Sequence, residues 1–190
     1  MQQSVKKYIT PEEYLALEES SDFKSEFYKG EIFNMAGTTL NHNQIVSNLI
    51  MSIGPVLRKK TCRLFANEIR LWVESQELFT YPDLMIVCDK LEFYPNRNDT
   101  ITNPLIIIEV LSESTENYDR GKKFLFYRSI PSFQEYILID QSSHHIEQFH
   151  IAKDGKWSLT EYNDLNGAFK FAKIDFEMPL RDIYSQVEFN

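Results

Sequence analysis

Two apolar runs, each interrupted by one carboxylate, limit the folds open to this chain more than any other feature: Asp83 in YPDLMIVCD and Glu109 in PLIIIEVLS. Runs that stay apolar at successive positions, instead of alternate ones, read as strands covered on both faces at the centre of a sheet. An acid inside Leu105–Leu111 loses its hydration on folding, at a cost that only a cation meeting it there can offset. A lysine-bearing helical segment, DRGKKFLFY, follows at once. Two acids on neighbouring strands with a lysine nearby point to a metal-binding centre.

The rest of the composition bounds what such a centre can serve. With 190 residues, 43% of them hydrophobic and 14% aromatic, the chain suits one domain around one sizeable core. A net charge of -8 supplies no overall basic field, so any contact with nucleic acid must come from a local patch. Cys62 and Cys88 lack metal-ligand spacing and lie in apolar strand-like segments, which predicts buried reduced thiols and a reducing cytoplasm. The start, MQQSVKKYITPEEY, has no apolar signal core, and no window approaches the roughly 20 apolar residues of a membrane span. A cytoplasmic protein with no membrane partner is expected.

Thr10-Pro11-Glu12-Glu13 reads as a helix start with a capping box, the helix ending near Glu19. In SEFYKGEIFNMA a Lys29-Gly30 turn pairs Tyr28 with Glu31 and Glu26 with Phe33, leaving Glu26 and Glu31 on one side of a hairpin. From Asn41, the residues Ile45, Leu49, Ile50, Ile53 and Leu57 recur at helical spacing, with Pro55 placed to kink the helix near its end. Three strands are predicted over Arg63–Val73, Pro82–Cys88 and Leu105–Leu111, with a polar loop at Asp89–Asn103. A helix over Ser114–Ile130, a strand over Phe133–Asp140, a hairpin of His145–Ile151 with Lys156–Tyr162, and a short helix around Leu180–Val187 complete the chain. This order predicts a mixed α/β fold: a mixed sheet flanked by helices, with an N-terminal helix and hairpin and a C-terminal hairpin addition.

Consecutive strands neighbour each other about two-thirds of the time, so Asp83 and Glu109 can converge on one ion. Oxygen ligands with no His or Cys cluster select Mg²⁺ or Mn²⁺ over zinc. Lys123 shares a narrow helical stripe with Asp119, Phe126 and Ile130, whereas Lys122 points about 100° away. Beside a metal-bound water its ammonium would orient the attacking hydroxide or stabilise charge on phosphorus.

With these residues in view, the chain resembles the PD-(D/E)XK nuclease superfamily, and in particular its Uma-two branch of restriction-endonuclease-like proteins. The resemblance is carried by SEFYKGEIFNMAG, NHNQIVSNL, YPDLMIV, PLIIIEVLSEST, DRGKKFLFYRSIPSFQEYILID and IDFEMPLRDIYSQV, and covers nearly all of residues 8–189. It implies a restriction-endonuclease-like domain over 1–190: helix and hairpin in 8–36, a nuclease core at about 41–140, and the C-terminal addition in 144–190. It also implies that Asp83 and Glu109 bind metal. The motif's lysine would stand two residues after Glu109, where this chain has Leu111; Lys123 of the following helix is its replacement. The superfamily's carboxylate from the first core helix has no counterpart in 41–60, so Glu26 is expected to complete the metal shell, with Glu31 and His42 at the periphery. The implied function is Mg²⁺-dependent (or Mn²⁺-dependent) hydrolysis of DNA phosphodiester bonds by a homodimer. The alternative is a catalytically inactive nuclease fold used for binding or assembly.

Overall fold

Helix α1 (Pro11–Glu19) starts where its capping box requires: the Thr10 hydroxyl accepts the Glu13 N–H while the Glu13 carboxylate accepts the Thr10 N–H. In this computed structural model, which describes residues 8–35 and 37–189, it leads into β1 (Ser25–Tyr28) and β2 (Glu31–Asn34). Residues 1–7, 36 and 190, which the expected domain and hairpin boundaries include, lie outside the described residues. Lys29 and Gly30 both have positive φ, 46° and 82°, as a two-residue hairpin turn of this twist demands. A side chain at Gly30 would strike the Tyr8 ring, so glycine is needed there twice over. The register is the expected one, Glu26 opposite Phe33 and Tyr28 opposite Glu31.

Helix α2 (Leu40–Leu57) follows, capped by Thr39 and carrying Pro55 near its end. Ile45, Leu49, Ile53 and Leu57 are buried along it, but Ile50 is 39% exposed and Val46 takes the inner position instead. The expected strand Arg63–Val73 is two strands, β3 (Cys62–Ala66) and β4 (Arg70–Val73), which a turn at residues 67–69 sends into different sheets. A 3-10 turn (Glu74–Gln76) then joins β4 to β5 (Leu78–Thr80). Next come β6 (Leu84–Cys88), β7 (Thr100–Ile101), β8 (Ile106–Leu111), helix α3 (residues 116–127) and β9 (Glu135–Asp140). The chain closes with β10 (Ile146–Ile151), β11 (Trp157–Tyr162), β12 (Ala168–Lys170), β13 (Glu177–Pro179) and α4 (Leu180–Ile183). The last helix is shorter than expected, and the β12–β13 ribbon before it carries no alternation long enough to be foreseen.

Two sheets organise these elements. The larger has the order β11-β10-β9-β8-β6-β3, with β6 antiparallel and β9 parallel to β8, so both acid-bearing runs are central as their composition demands. The smaller has the order β2-β1-β5-β4-β7; β7 arises inside the expected polar loop and pairs with β4. This is the mixed α/β architecture anticipated, a mixed sheet flanked by helices.

Alternation along each strand assigns the layers. Leu84, Ile86, Ile106, Ile108, Ile137 and Ile139 face α2 and the C-terminal segment. Met85, Val87, Ile107, Leu111, Tyr136 and Leu138 face the opposite way, onto α3 and onto Leu71, Val73 and Leu78 of the smaller sheet. On the far side of that sheet Phe27, Trp72 and Phe79 pack on Tyr14 and Leu15 of α1.

The cysteines correct one expectation. Cys62 and Cys88 are directly opposed in the antiparallel β3–β6 pair and are joined as a disulfide across 26 residues of sequence. Strand register brings them together, which spacing alone does not express, so they no longer argue for a reducing compartment. Among the described residues no helix is long and apolar enough to cross a membrane.

Candidate active site

Glu109 lies on β8 between Ile107 and Leu111, so period two turns it to the inner face, between the larger sheet, α3 and the smaller sheet. Asp83 precedes β6 in phase with Met85 and Val87 and faces the same way. On the opposing sheet Glu26 is in phase with Tyr28, and Thr80 with Leu78. Glu109, Asp83 and Glu26 thus enter one interlayer space, with Thr80 buried behind Glu26, and the cavity there, of about 590 Å³, is lined in part by Asp83, Glu109, Glu26, His42 and Lys123.

Asp83 and Glu109 are bonded to each other's strands. The Asp83 N–H donates to Glu109 Oε2 at 3.2 Å, and the Val110 N–H donates to Asp83 Oδ2 at 2.8 Å. His42, from the first turn of α2, places Nε2 3.1 Å from the same Oδ2. A carboxylate only accepts, so that contact assigns the hydrogen to Nε2.

Helix α3 supplies the cation. Its middle turn, Asp119–Lys123, is a π-helical widening between the α-helical turns Glu116–Tyr118 and Phe124–Tyr127. The expected helix Ser114–Ile130 is therefore neither so long nor so regular, and such widenings frequently occur at functional sites. Lys123 Nζ stands 3.2 Å from Glu109 Oε1, 3.0 Å from Asp119 Oδ1 and 3.8 Å from Glu26 Oε1, and 5.6 Å from the Tyr118 ring centre. The contact with Asp119 Oδ1 is an ion pair without hydrogen-bond geometry, and that buried oxygen has no hydrogen-bond partner. Tyr127 donates its hydroxyl to Glu109 Oε1 at 2.9 Å, and Thr80 donates to Glu26 Oε1 in a short bond.

One ammonium among three acids leaves an excess of negative charge on largely buried side chains. Burial pushes Glu109 up to about 8; Lys123 opposes the rise, and Asp119 and Asp83 add to it. Burial alone would draw Lys123 down, but Glu109, Asp119 and Glu26 hold it well above the usual lysine range. Burial likewise lifts Tyr127 well above the ordinary phenol, keeping it a donor. At neutral pH Lys123 is an ammonium that donates and cannot take a proton from water.

Sequence reasoning located Asp83, Glu109 and Lys123, and the structure brings all three together. It brings Glu26 to Lys123 and Thr80, and His42 directly onto Asp83. Glu31 pairs with Tyr28 at the turn end of the hairpin and does not line the cavity. Asp119 belongs to the site itself, more than to the stripe leading to it. Tyr127 was missed, although Asp119, Lys123 and Tyr127 recur every fourth residue and that spacing marks one helix face. The loop Asp89–Asn103 does not reach the cavity: its Arg97 is tied to Asp99 and Glu19.

The comparisons agree with this geometry. Residues 11–174 match the Uma2 family, described as "Putative restriction endonuclease". The chain belongs to the Uma2 family. It is 39% identical over 166 residues to "Uncharacterized protein sll1609" of Synechocystis, covering 87% of this chain and 94% of that one. A second Synechocystis relative, "Uncharacterized protein slr1290", is 35% identical over 156 residues, covering 81% and 80%. A crystal structure of a "putative nuclease belonging to DUF820" from Anabaena variabilis superposes on this Uma2 chain with a TM-score of 0.77, covering 95% of this chain and 99% of the other. Identity to it is 19%, so that match establishes a shared fold.

The acid side of the Uma2 cavity offers the carboxylate oxygens of Asp83 and Glu109, with the His42 imidazole bonded to Asp83 Oδ2. Glu109 Oε2 accepts only the Asp83 N–H, and Asp83 Oδ1 takes no hydrogen bond among the described residues. Among the described residues no group of three or more His, Cys, Asp or Glu side chains has metal-ligand spacing. Two carboxylates with the remaining positions left to water suit Mg²⁺, which dehydrates reluctantly and is usually held by one or two protein carboxylates.

Proposed function

We propose that this cavity hydrolyses phosphodiester bonds of DNA with Mg²⁺ or Mn²⁺ held by Asp83 and Glu109. The observation that carries the reading is the mutual bonding of these two acids on adjacent central strands with the Lys123 ammonium 3.2 Å from Glu109. A bound divalent ion would activate water and neutralise charge at phosphorus. The chain's own residues do the rest. Lys123, fixed as an ammonium by three acids, donates to an oxygen of the reacting phosphate or to the entering water. Glu26, held by the Thr80 hydroxyl, faces Lys123 from the smaller sheet and would complete the acid shell of the centre. His42 fixes the rotamer of Asp83, and Tyr127 that of Glu109. In the reaction a water oxygen bonds to phosphorus, one P–O ester bond breaks, and the water's proton passes to solvent or to the leaving oxygen.

Cutting both strands of a duplex would require two copies, so a homodimer belongs to this reading only where both strands are cut. Of plasmid and single-stranded DNA incubated with Mg²⁺ or Mn²⁺, at least one should be cleaved by the wild type and not by Asp83→Ala. Equal background from both proteins on every nucleic acid would end the reading. A second reading, a binding or assembly module on a nuclease fold, is favoured by Lys123 already compensating Glu109 and Asp119. Calorimetry separates the two, because a module need not take up Mn²⁺ at Asp83 and Glu109.

A further inference from the structure

The cavity that holds Asp83 and Glu109 shares Gly37, Thr39, Ser112, Ser114 and Gln141 with a neighbouring cavity of about 900 Å³, and together they form one trough. Its two ends differ in chemistry. At one end Phe33 and Met35, 47% and 37% exposed, stand on the rim. Phe33 is the cross-strand partner of Glu26, so its ring shares a hairpin face with that acid. Where the two cavities join, Ser112 and Ser114 present hydroxyl groups, and the far end is lined by Ser142 with Glu113 and Glu188 beside it.

Cations are scarce in this trough. Among the described residues its lining lysines are Lys24, bonded to Glu68 and to the Asn67 carbonyl, Lys123, bonded to the buried acids, and Lys122. A duplex binder that makes on the order of 6–10 phosphate contacts needs a cation for each, and among the described residues this trough supplies one uncommitted ammonium. An exposed ring fits an unstacked base, and neutral donors fit the sugar–phosphate chain beside it. We infer that the substrate is single-stranded DNA, with one base stacked on Phe33 and the adjoining phosphodiester at Lys123. This rests on the hydrolase reading above and narrows it.

The test uses the full chain carrying Asp83→Asn, to bind without cutting, with a labelled oligonucleotide presented single-stranded and as a hairpin duplex of the same composition. The single strand should bind at least about tenfold tighter. Phe33→Ala should weaken it by about 5–100-fold and abolish quenching of a 2-aminopurine base, and Phe33→Tyr should restore both. The plot of log K against log salt should have a slope of about -1, far shallower than that of a duplex binder. Duplex binding as tight as single-strand binding, or an unaffected Phe33→Ala, overturns the inference. An Asp83-dependent cut in duplex DNA that Phe33→Ala leaves untouched overturns it while the hydrolase reading stands. Loss of all Asp83-dependent cutting overturns the hydrolase reading, and this inference with it.

Discussion

Replacing Glu109 with glutamine should change how stability depends on pH, with a sign opposite to that of an ordinary ion-paired acid. Glu109 is 3% exposed, and burial lifts it from the ordinary 4.5 to about 8. Between those values the folded chain holds a proton that the unfolded chain has released, so stability falls as pH rises through this window. At about 1.4 kcal/mol per pH unit, a rise of this size makes the loss between pH 4.5 and pH 8 on the order of a few kcal/mol in the metal-free chain. Glutamine does not titrate and keeps the side chain's shape. The unfolding free energy of the wild type minus that of Glu109→Gln should therefore fall across this range, by up to about 1.4 kcal/mol per pH unit. Urea denaturation at pH 5, 6, 7 and 8 measures this difference, in which groups remote from Glu109 cancel and its neighbours Lys123, Asp119 and Asp83 contribute with it. A difference that stays flat, or rises with pH as it would for an acid held ionised by Lys123, refutes the reasoning.

Lys123→Met removes the one ammonium from among Glu109, Asp119 and Glu26. It should cost about 3–5 kcal/mol in denaturant unfolding at pH 7, and Lys123→Arg should not recover cleavage, because the wider guanidinium does not fit the same contacts. Cys62→Ser opens a disulfide spanning 26 residues, and loop entropy sets the loss at about 3–4 kcal/mol, measured as a lower Tm that a reducing agent reproduces in the wild type. A Tm indifferent to both changes would place the bond outside the folded state's stability.

Much of the site was legible because its signals are local. The Lys29-Gly30 turn fixes the hairpin register and with it the face of Glu26. Asp83 and Glu109 stand out because each interrupts an apolar run, and Lys123 because its stripe selects one helix face. What escaped depends on distant register. The Cys62–Cys88 bond requires β3 and β6 to align one particular way. The division of Arg63–Val73 turns on residues 67–69, where no Gly or Pro marks the change of direction. The widened turn of α3 has no period of its own in the sequence, yet Asp119 and Lys123 lie within it and both enter the core.

Glu26 belongs to one sheet, Glu109 to the other, and Lys123 to the helix between them. No fragment lacking any of these layers contains the full charge cluster, so a nascent or partly melted chain would carry its acids and its amine far apart. On the hydrolase reading, competence to cut would then require all three layers to be docked, and a copy that lost any one of them would lose the centre as a whole.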